Sequence, residues 1–488
     1  MNQEPNDLKP KKTKKNITLS VYVTSLILVA VLAVGGTYFL TEKNQNQVAV
    51  DSSNAAKVDQ NFNKLQEVYS KLSTQFYKKV DSTKLLEGAL SGMVNATGDP
   101  YTQYLDVAEA TDLDSTISAS FEGIGAEVMN QNDAITIVSP IAGSPAEKAG
   151  LLPNDVILKV DDHEMAGLTL NKAVSYIRGE KGTDVVLKIQ RGTTTFDVTL
   201  KRDTIPVETV KSRLDEKDPT IGYIQITNFS QPTASEVEKA VKDLRGKGAK
   251  SFILDVRGNP GGLLDQALKI SNMFVEDGKV LMQTKERDKK ADIMKADATL
   301  GDFKVTEPIT LLVDEGSASA SEILAGALKE SANTTIIGTK TFGKGTVQTV
   351  ATFDDKSELK MTIAKWLTPS GQWINKKGIE PTIAIDLPTY TKLLLIDPKK
   401  TYQQNDVSDE VKNLQSVLNA LGFTSNDANG YFGTGTTEAV KAFQTVHNLP
   451  SDGIVTDKTS TALIEALREL MKQNDTQYEK AVSYLQTK

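Results

Sequence analysis

The 488-residue chain contains no cysteine and only two histidines, His163 and His447. The absence of cysteine excludes disulfides, thiolate metal sites, a cysteine nucleophile and lipid attachment through a thiol. Neither histidine lies near the serine-rich turn of the chain, so a Ser-His-Asp triad would have no base. Histidine-rich zinc motifs are absent as well. The sequence therefore predicts chemistry that uses no metal and no other cofactor.

The chain also lacks an excess of positive charge. It carries 56 lysines and arginines against 63 acidic residues, for a net charge of −7. Phosphate contacts require clustered cations, so no nucleic acid is predicted as a partner. Hydrophobic residues make up 39% and charged residues 24%, as in ordinary folded domains. The length suggests about three domains.

The N-terminal segment has the pattern of a membrane anchor. Five lysines between Lys9 and Lys15 precede an uncharged apolar run that can cross a bilayer core of ~30 Å as a helix. Because lysines stay on the cytoplasmic side, we expect a cytoplasmic tail at 1–16, a transmembrane helix at 17–40 and a linker at 41–56. The predicted location is the cell membrane, single-pass, with the catalytic domains extracytoplasmic. A cleaved signal peptide is the alternative, although its apolar region is usually shorter.

Residues 57–115 are predicted to form a helical arm. Leu65, Val68 and Leu72 recur at helical spacing, and the glycine and proline of GDPYTQY (98–104) interrupt the pattern. The arm is expected to pack against the rest of the chain, and it could also pair with a second subunit in a homodimer.

Residues 116–203 form a β-rich module with frequent turn signals. The segments GIGA, SPAEKAGL and IRGEKGT resemble those of a PDZ domain. The resemblance implies that the module binds the C-terminal end of a peptide by strand addition. A PDZ-like shape without a working groove is the alternative. The loop expected to hold the peptide carboxylate consists of Gly123, Ile124, Gly125 and Ala126.

Residues 204–390 contain two strand–turn–helix units. One passes from an apolar strand at Phe252–Val256 into GNPGG, and the other passes from ITLLV into GSASAS. Continuous apolar strands followed by helices indicate a parallel sheet, so this block is predicted to be an αβ sandwich. The carboxyl ends of parallel strands meet at one edge of a sheet. The two turns are therefore expected to lie side by side.

With histidine, cysteine and metal excluded, a serine activated by a lysine remains as the chemistry of this block. A lysine accepts a proton only when its amine is neutral, which burial favours. Lys344 has glycines on both sides and apolar residues nearby, and Gln348 could orient its amine without adding charge. The small residues of GSASAS open a helix whose free N–H groups can face negative charge. This reasoning does not choose among Ser317, Ser319 and Ser321.

The segments GSASASEI, TFGKGTVQ and DVRGNPGG resemble those of the C-terminal processing peptidases, or tail-specific proteases, over residues 60–390. The resemblance implies that Ser319 is the nucleophile, that Lys344 is the general base and that Gln348 is its partner. It also implies an oxyanion hole made of backbone N–H groups, those of Ala320, Gly261 and Gly262.

The resemblance further implies that the PDZ-like module can gate the active site. Arg178 lies where the module and the catalytic block could meet, although a solvated loop arginine is an equal alternative. Ser317 and Ser321 are predicted to be helix caps.

After a linker at 391–404, residues 405–470 have the pattern of a small helical domain. The segments LQSVLNALGF, DANGYFGTGTTEAVKAFQ and SDGIVTDKTSTAL resemble a peptidoglycan-binding-like domain. The resemblance implies peptidoglycan or a wall protein as a partner, and a protein-binding helical bundle is the alternative. Residues 471–488 are predicted to be a polar tail.

The sequence as a whole predicts a multidomain chain of α+β and α/β architecture: a membrane helix, a helical arm, a PDZ-like domain, an αβ-sandwich catalytic core and an all-α C-terminal domain. We expect a membrane-anchored serine endopeptidase that cleaves protein substrates recognised by exposed C-terminal tails. One rival is a non-catalytic, wall-associated PDZ scaffold, which need not keep serine, lysine and glutamine together. The other is a peptidoglycan hydrolase, but the glycine-lined turns lack paired acids.

Overall fold

The computed structural model describes residues 52–131, 134–427 and 429–488. The predicted membrane helix 17–40 and the cytoplasmic tail before it therefore lie outside the described residues. Within the described ranges, no helix combines the length and the apolar character that a membrane span requires.

The chain divides into a unit that ends at Leu90 and a unit from Ser91 onward. In the first unit, helix α1 (Ser52–Gln75) begins inside the predicted linker, before the expected start of the arm. Phe62 on this helix and Phe76 directly after it are exposed. Helix α2 (Ser82–Asn95) follows. The helical spacing of the arm is thus confirmed, and its apolar side chains are not covered within the unit.

The second unit continues with a short strand, a helix and the β-rich module. These elements are β1 (Gln103–Leu105), α3 (Val107–Ser118), β2 (Ser120–Gly123), β3 (Ala126–Gln131), β4 (Ala134–Pro140), α4 (Pro145–Lys148), β5 (Val156–Val160), β6 (His163–Glu164), α5 (Leu170–Ile177), β7 (Asp184–Arg191) and β8 (Thr194–Lys201). The main sheet has the strand order β3-β4-β5-β7-β8, so β3 is an edge strand. Alternate residues of β7 point into the core, where Ala173 and Ile177 of α5 pack against them. An edge strand beside a helix is the arrangement that peptide strand addition needs.

The catalytic block is built on a six-stranded sheet with the order β10-β11-β12-β15-β16-β19. Only the β10–β11 pair is antiparallel. Every residue of β12 is buried, as its continuous apolar run predicts. The elements are β9 (Asp203–Pro206), β10 (Val210–Leu214), β11 (Ile221–Ile226), α6 (Thr233–Gly246), β12 (Ser251–Asp255), α7 (Leu264–Phe274), β13 (Val280–Glu286), β14 (Asp292–Lys295), β15 (Ile309–Val313), α8 (Ala320–Ser331), β16 (Thr335–Gly338), β17 (Thr346–Thr352), β18 (Glu358–Leu367) and β19 (Ile383–Ala384).

A second sheet adjoins this block, with the order β1-β18-β13-β14 and with β17 paired to β18. Helices α6, α7 and α8 cover one face of the parallel sheet, in the largest hydrophobic core. The other face includes Ile253, Leu312 and Ile337.

The last helix, α12 (Thr476–Leu485), covers that other face. Ala481 and Leu485 of this helix are buried against the strands. The segment 471–488, described from sequence as a polar tail, is therefore part of the catalytic block from Thr476 onward, whereas Met471 at its start packs on the C-terminal helical domain. Its polar residues face solvent or make specific hydrogen bonds, while an apolar stripe completes the core.

The C-terminal helical domain consists of α9 (Asp409–Ala420), α10 (Thr434–Val446) and α11 (Asp457–Gln473). Its core also contains Ile396 and Tyr402, each 5% exposed. The predicted linker 391–404 thus supplies part of this core.

Candidate active site

The turns after β12 and β15 lie side by side, because these two strands are parallel neighbours. The turns are also hydrogen-bonded to each other. The Ala318 N–H donates to the Asn259 carbonyl over 3.0 Å, and the Gly258 N–H donates to Asp314 Oδ1 over 2.8 Å. The expectation that GNPGG and GSASAS share one edge of the sheet is confirmed.

The three serines of the second turn have different environments. Ser317 Oγ donates to the Val256 carbonyl over 2.8 Å, and Ser321 Oγ donates to the Asn259 carbonyl over 2.9 Å. Both side chains are fully buried. They join the two turns, so the prediction that they cap the helix is wrong. The N-cap position is Ser319.

Ser319 is only partly buried, and its hydroxyl proton has no acceptor in the described part of the chain. Its backbone has φ 54° and ψ −112°, a sparsely populated conformation for a non-glycine residue. Such strain persists only where the surroundings enforce it, and it is concentrated at functional sites. The structure therefore separates Ser319 from its two neighbours.

Glu322 connects the Ser319 turn to the Lys344 loop. Its side chain lies in the first turn of α8 and is fully buried. One carboxylate oxygen, Oε2, accepts from the Ser319 N–H over 2.9 Å and from the Lys344 N–H over 2.8 Å. The other accepts from the Gly343 N–H over 2.7 Å and from Thr341 Oγ1 over 2.6 Å. The two predicted catalytic residues thus have their backbones on one carboxylate oxygen.

Lys344 lies in the loop between β16 and β17. Its carbonyl accepts a 2.7 Å hydrogen bond from the buried Trp366 indole. Its Nζ lies 4.8 Å from the centre of the Tyr101 ring. Across the described ranges, this Nζ makes no hydrogen bond and no ion pair. The amine is held by packing and by its backbone rather than by a polar partner.

The surroundings of Lys344 disfavour its charged form. Burial lowers the pKa of the Lys344 amine below its usual range, and the positive charge of Lys360 lowers it further. The carboxylates of Asp99 and Glu322 act in the opposite direction without cancelling the effect.

Gln348 lies on β17 and does not touch Lys344 in this structure. Its Nε2 donates to Thr346 Oγ1 over 2.9 Å and to Thr362 Oγ1 over 3.1 Å. These bonds orient the amide, and its Oε1 accepts no hydrogen bond in the described part of the chain.

Gly261 packs directly against the Ser319 turn. A Cβ atom added to Gly261 would lie 2.8 Å from Ser319 Cβ and 2.9 Å from the Ala320 nitrogen, and its φ is +106°. Both features require glycine. Its N–H, however, donates to Asn259 Oδ1 over 2.9 Å and is thus already bonded.

The other two predicted oxyanion donors differ from Gly261 in this respect. Ala320 is the first residue of α8, where backbone N–H groups lack intrahelical partners. Gly262 forms an isolated β-bridge with Phe229. In this bridge the Phe229 N–H donates to the Gly261 carbonyl and the Leu263 N–H donates to the Phe229 carbonyl, so the Gly262 N–H is not used. In the described ranges, the N–H groups of Ala320 and Gly262 have no acceptor.

The predicted carboxylate loop of the PDZ-like module runs from the end of β2 to the start of β3. Gly125 has φ +73°, and a Cβ there would lie 2.4 Å from Ser144 Cβ. Ser144 Oγ donates to the Gly125 carbonyl over 2.9 Å, which fixes the loop. Within the described residues, the N–H groups of Ile124 and Gly125 have no protein acceptor.

Arg178 ends helix α5 and does not reach Ser319 or Lys344 in the structure. Its Nη1 lies 3.9 Å from Asp112 Oδ1, and its guanidinium lies 5.0 Å from the centre of the Phe121 ring. Because 45% of the Arg178 side chain is exposed, this ion pair contributes little to stability by itself. The contact does, however, join the PDZ-like module to α3.

Sequence reasoning missed several residues of this site. Glu322 stands three residues after Ser319, the spacing of an acid that folds back onto a helix N-terminus, and this signal could have identified it. Asn259 and Tyr101 had no such signal, because their contacts come from distant segments. Arg257 was missed as well. Its guanidinium donates to Asp255 on β12 and to Asp475 before α12, at 2.7 and 2.8 Å.

Four family models match the chain. Peptidase family S41 matches residues 220–385, and a PDZ domain matches 136–191. A peptidoglycan binding domain matches 407–463, and the activating protease CtpB N-terminal domain matches 29–109.

The full-length relatives are peptidases of one kind. The chain is 46% identical to the carboxy-terminal processing protease CtpA of Bacillus subtilis (strain 168), over 94% of this chain and 97% of that protein. It is 37% identical to the "Probable CtpA-like serine protease" of Staphylococcus aureus (strain COL), over 99% and 95%. Among solved structures, the photosystem II D1 C-terminal processing protease has 30% identity and a TM-score of 0.40, over 67% of this chain and 88% of that chain.

Together, these findings define a serine peptidase that carries a PDZ domain and a peptidoglycan-binding domain. The chain belongs to peptidase family S41 and is a carboxy-terminal processing serine protease.

Proposed function

We propose that Ser319 and Lys344 form the catalytic dyad, with Gln348 as the orienting partner of the lysine. The observation that carries this proposal is Glu322, whose Oε2 binds the backbone N–H groups of both Ser319 and Lys344. A buried carboxylate that binds both backbones holds the two loops together, which supports a common site for their side chains. Preorganisation of this kind is what acyl transfer requires.

In the proposed reaction, Ser319 Oγ attacks the carbonyl carbon of the scissile peptide bond while its proton passes to the neutral Lys344 amine. The C–N bond then breaks, and Lys344 returns the proton to the leaving amine. Water attacks the acyl-enzyme in the same manner and releases the new C-terminus. Because the base must be neutral, kcat/KM rises as pH increases through the pKa of Lys344. The lowered pKa of this amine enlarges its neutral fraction near neutral pH.

The negative oxygen of the tetrahedral intermediate needs hydrogen-bond donors beside Ser319. The N–H groups of Ala320 and Gly262 have no acceptor among the described residues, so we assign them as the donors. Gly261 acts differently from the prediction, because Asn259 holds its N–H. Gly261 instead allows the two backbones to approach closely. Each oxyanion donor, such as the N–H of Ala320 or Gly262, typically stabilises the transition state by about 2.7–4 kcal/mol.

Substrate recognition is proposed to start at the PDZ domain. An extended peptide tail adds to the edge strand β3, and its carboxylate binds the N–H groups of Ile124 and Gly125. Gly123 and Ala126 complete the loop. The substrates are accordingly proteins whose C-terminal tails are exposed and extended.

Two serine variants test the dyad. Ser319→Ala should abolish cleavage of an unfolded reporter protein and labelling by a serine-directed phosphonate, with an unchanged melting temperature. Ser317→Ala is the matched control, because it removes a buried hydroxyl from the same turn. It should lower stability and retain labelling. Labelling of Ser319→Ala, or cleavage by it, would refute the assignment.

Gating through Arg178 is proposed to pass along α3. Arg178 faces Asp112 on this helix, and the Thr116 carbonyl near its end accepts from Ser230 Oγ over 2.6 Å. Ser230 directly follows Phe229, the bridge partner of Gly262. Arg178→Ala should change the stimulation of cleavage by a PDZ-binding peptide, whereas Lys181→Ala, which breaks an exposed pair with Asp203, should not. Equal stimulation in both variants would contradict this route.

We also propose that the apolar run 17–40 anchors the protein in the membrane, with the later domains outside the cell. The lysines before this run and its lack of charge support the proposal. The domain at 405–470 would then bind peptidoglycan or a wall protein, and the exposed apolar side chains of α1 would pair two subunits. Fractionation, protease accessibility in whole cells, pull-down with purified peptidoglycan and light scattering test these four points.

A further inference from the structure

A segment from outside the catalytic block completes the sheet beside Lys344. Residues 99–105 precede the PDZ domain in the chain, yet β1 pairs with β18 of the second sheet, with Gln103 opposite Lys360 and Leu105 opposite Glu358. β18 also carries β17, which begins two residues after Lys344. The segment is therefore an edge strand of the sheet that holds the lysine.

Tyr101 places its ring against the lysine amine. The distance from Lys344 Nζ to the ring centre is 4.8 Å, and the amine has no polar partner within the described residues. Tyr101 is itself partly buried, and its pKa is raised by burial and by the nearby carboxylates Glu322 and Asp99. The ring thus forms one wall of the pocket around the amine.

Hydrogen bonds join the same segment to Gln348. Thr102 Oγ1 donates to Asp99 Oδ2 over 2.6 Å, and it accepts from the Thr362 N–H over 3.1 Å. The Thr362 hydroxyl in turn accepts from Gln348 Nε2. A continuous path therefore runs from Asp99 to the side chain that is proposed to orient Lys344.

We propose that residues 99–105 belong to the active site, together with the two turns and the Lys344 loop. In this segment, Tyr101 is a positioning residue that excludes water from the Lys344 amine, and Asp99 sets the charge beside that amine. This inference rests on the proposed role of Lys344 as the base. On this proposal, Lys344 can act as the base only when residues 99–105 are paired with β18.

The two side chains should act on Lys344 in opposite directions. The charged and titratable groups around the amine are Asp99, Glu322, Lys360 and the Tyr101 hydroxyl. Burial is the largest influence on the amine, so removing the ring should admit water and favour the ammonium form. Removing the charge of Asp99 should disfavour the ammonium form, because a neighbouring carboxylate stabilises it.

The test is the pH dependence of kcat/KM of the full-length protein on a fluorogenic peptide with a free, apolar C-terminus. Tyr101→Ala should move the acid limb to higher pH, with a several-fold loss at neutral pH that shrinks in alkaline buffer. Tyr101→Phe keeps the ring and should retain the wild-type profile. Asp99→Asn should move the acid limb to lower pH.

Tyr104→Ala is the matched control, because Tyr104 lies on the same strand opposite Leu359 and has no contact with Lys344. It should lower activity, if at all, equally at every pH. An unshifted acid limb in folded Tyr101→Ala, or shifts of the same direction in Tyr101→Ala and Asp99→Asn, would overturn the inference. Lys344→Ala separates the dyad hypothesis from the role of residues 99–105. Activity in Lys344→Ala would refute the dyad itself. If Lys344→Ala is inactive but the pH profiles of the Tyr101 and Asp99 variants are unshifted, only the role of the segment is refuted.

Discussion

The two halves of the active site are built differently. Ser319 lies in the turn after β15, a parallel strand that is buried except at its first residue. Ser317 and Ser321 tie this turn to the neighbouring one. Lys344 lies beside a second, antiparallel sheet. The Tyr101 ring lies 4.8 Å from its amine, which makes no hydrogen bond in the described part of the chain. Glu322 fixes both backbones, but nothing polar in the described chain fixes the amine. The proposed nucleophile is therefore held by contacts within one block, whereas the proposed base depends on elements packed around it.

This contrast identifies where activity can be regulated. The serine turn is held within one block by the buried hydroxyls of Ser317 and Ser321, so its geometry depends mainly on the packing of that block. The lysine pocket is completed by residues 99–105, and the oxyanion turn is contacted by α12 through Arg257. Helix α12 is part of the core of the parallel sheet, whereas residues 99–105 are not, so this segment is the one that could separate without exposing that core.

The largest expected effect comes from Lys344→Arg. An arginine cannot act as a base because it stays charged at any accessible pH, so kcat should fall on the order of 10⁴-fold or more. Steady-state kinetics at several pH values would show no recovery in alkaline buffer. Recovery of a near-normal rate would show that the lysine half needs no neutral amine.

Glu322→Gln tests the link between the two halves. A neutral amide replaces two oxygen acceptors with one acceptor and one donor. Because each oxygen accepts two hydrogen bonds, two of the four donors lose their acceptor. Displacement of either loop by about 1 Å should lower kcat on the order of 10²-fold. Glu315→Gln is the matched control, since that carboxylate accepts from Thr339 at an exposed position. Similar activity in the two variants would mean that Glu322 is dispensable for the dyad.

Gly261→Ala tests the nucleophile half alone. The added methyl would press on Ser319 Cβ and on the Ala320 nitrogen at a positive φ, so kcat should fall by about 10²-fold. Gly258→Ala, in the same turn with φ +65° but no atom within 4 Å of the added carbon, should cost only about 1 kcal/mol of stability. Equal kinetic losses in both variants would point to backbone strain rather than contact with Ser319.

Asp475→Ala should have the smallest effect on rate and a clear effect on stability. It leaves the largely buried Arg257 with only Asp255 and Gln477 as partners, at a cost of about 1–3 kcal/mol. Thermal unfolding should shift downward, with a several-fold loss of activity through the GNPGG turn. Gln486→Ala removes an exposed contact of the same helix with Asp218 and should leave both unchanged. If the two variants behaved alike, α12 would not support the oxyanion turn.

Much of this architecture followed from local patterns. The absence of cysteine, and of any histidine near the serine-rich turn, left a serine–lysine pair as the predicted chemistry. Apolar strands before turns of small residues predicted the shared sheet edge. These features are local because they depend on residue type and spacing along a few residues. The carboxylate loop of the PDZ-like module was instead assigned through its resemblance to a PDZ domain, and the structure shows a positive φ at Gly125 of this loop.

The sequence by itself thus determined the kind of chemistry, the catalytic candidates and the order of the domains. Only the tertiary structure decided that Ser317 and Ser321 join two turns, that Glu322 holds both loops, and that the polar tail is a helix of the catalytic block. The tertiary structure also decided that Asn259 Oδ1 accepts the hydrogen bond of the Gly261 N–H. The reason is physical: each of these contacts joins atoms that are distant along the chain or depends on which way a side chain points. No local pattern encodes either property.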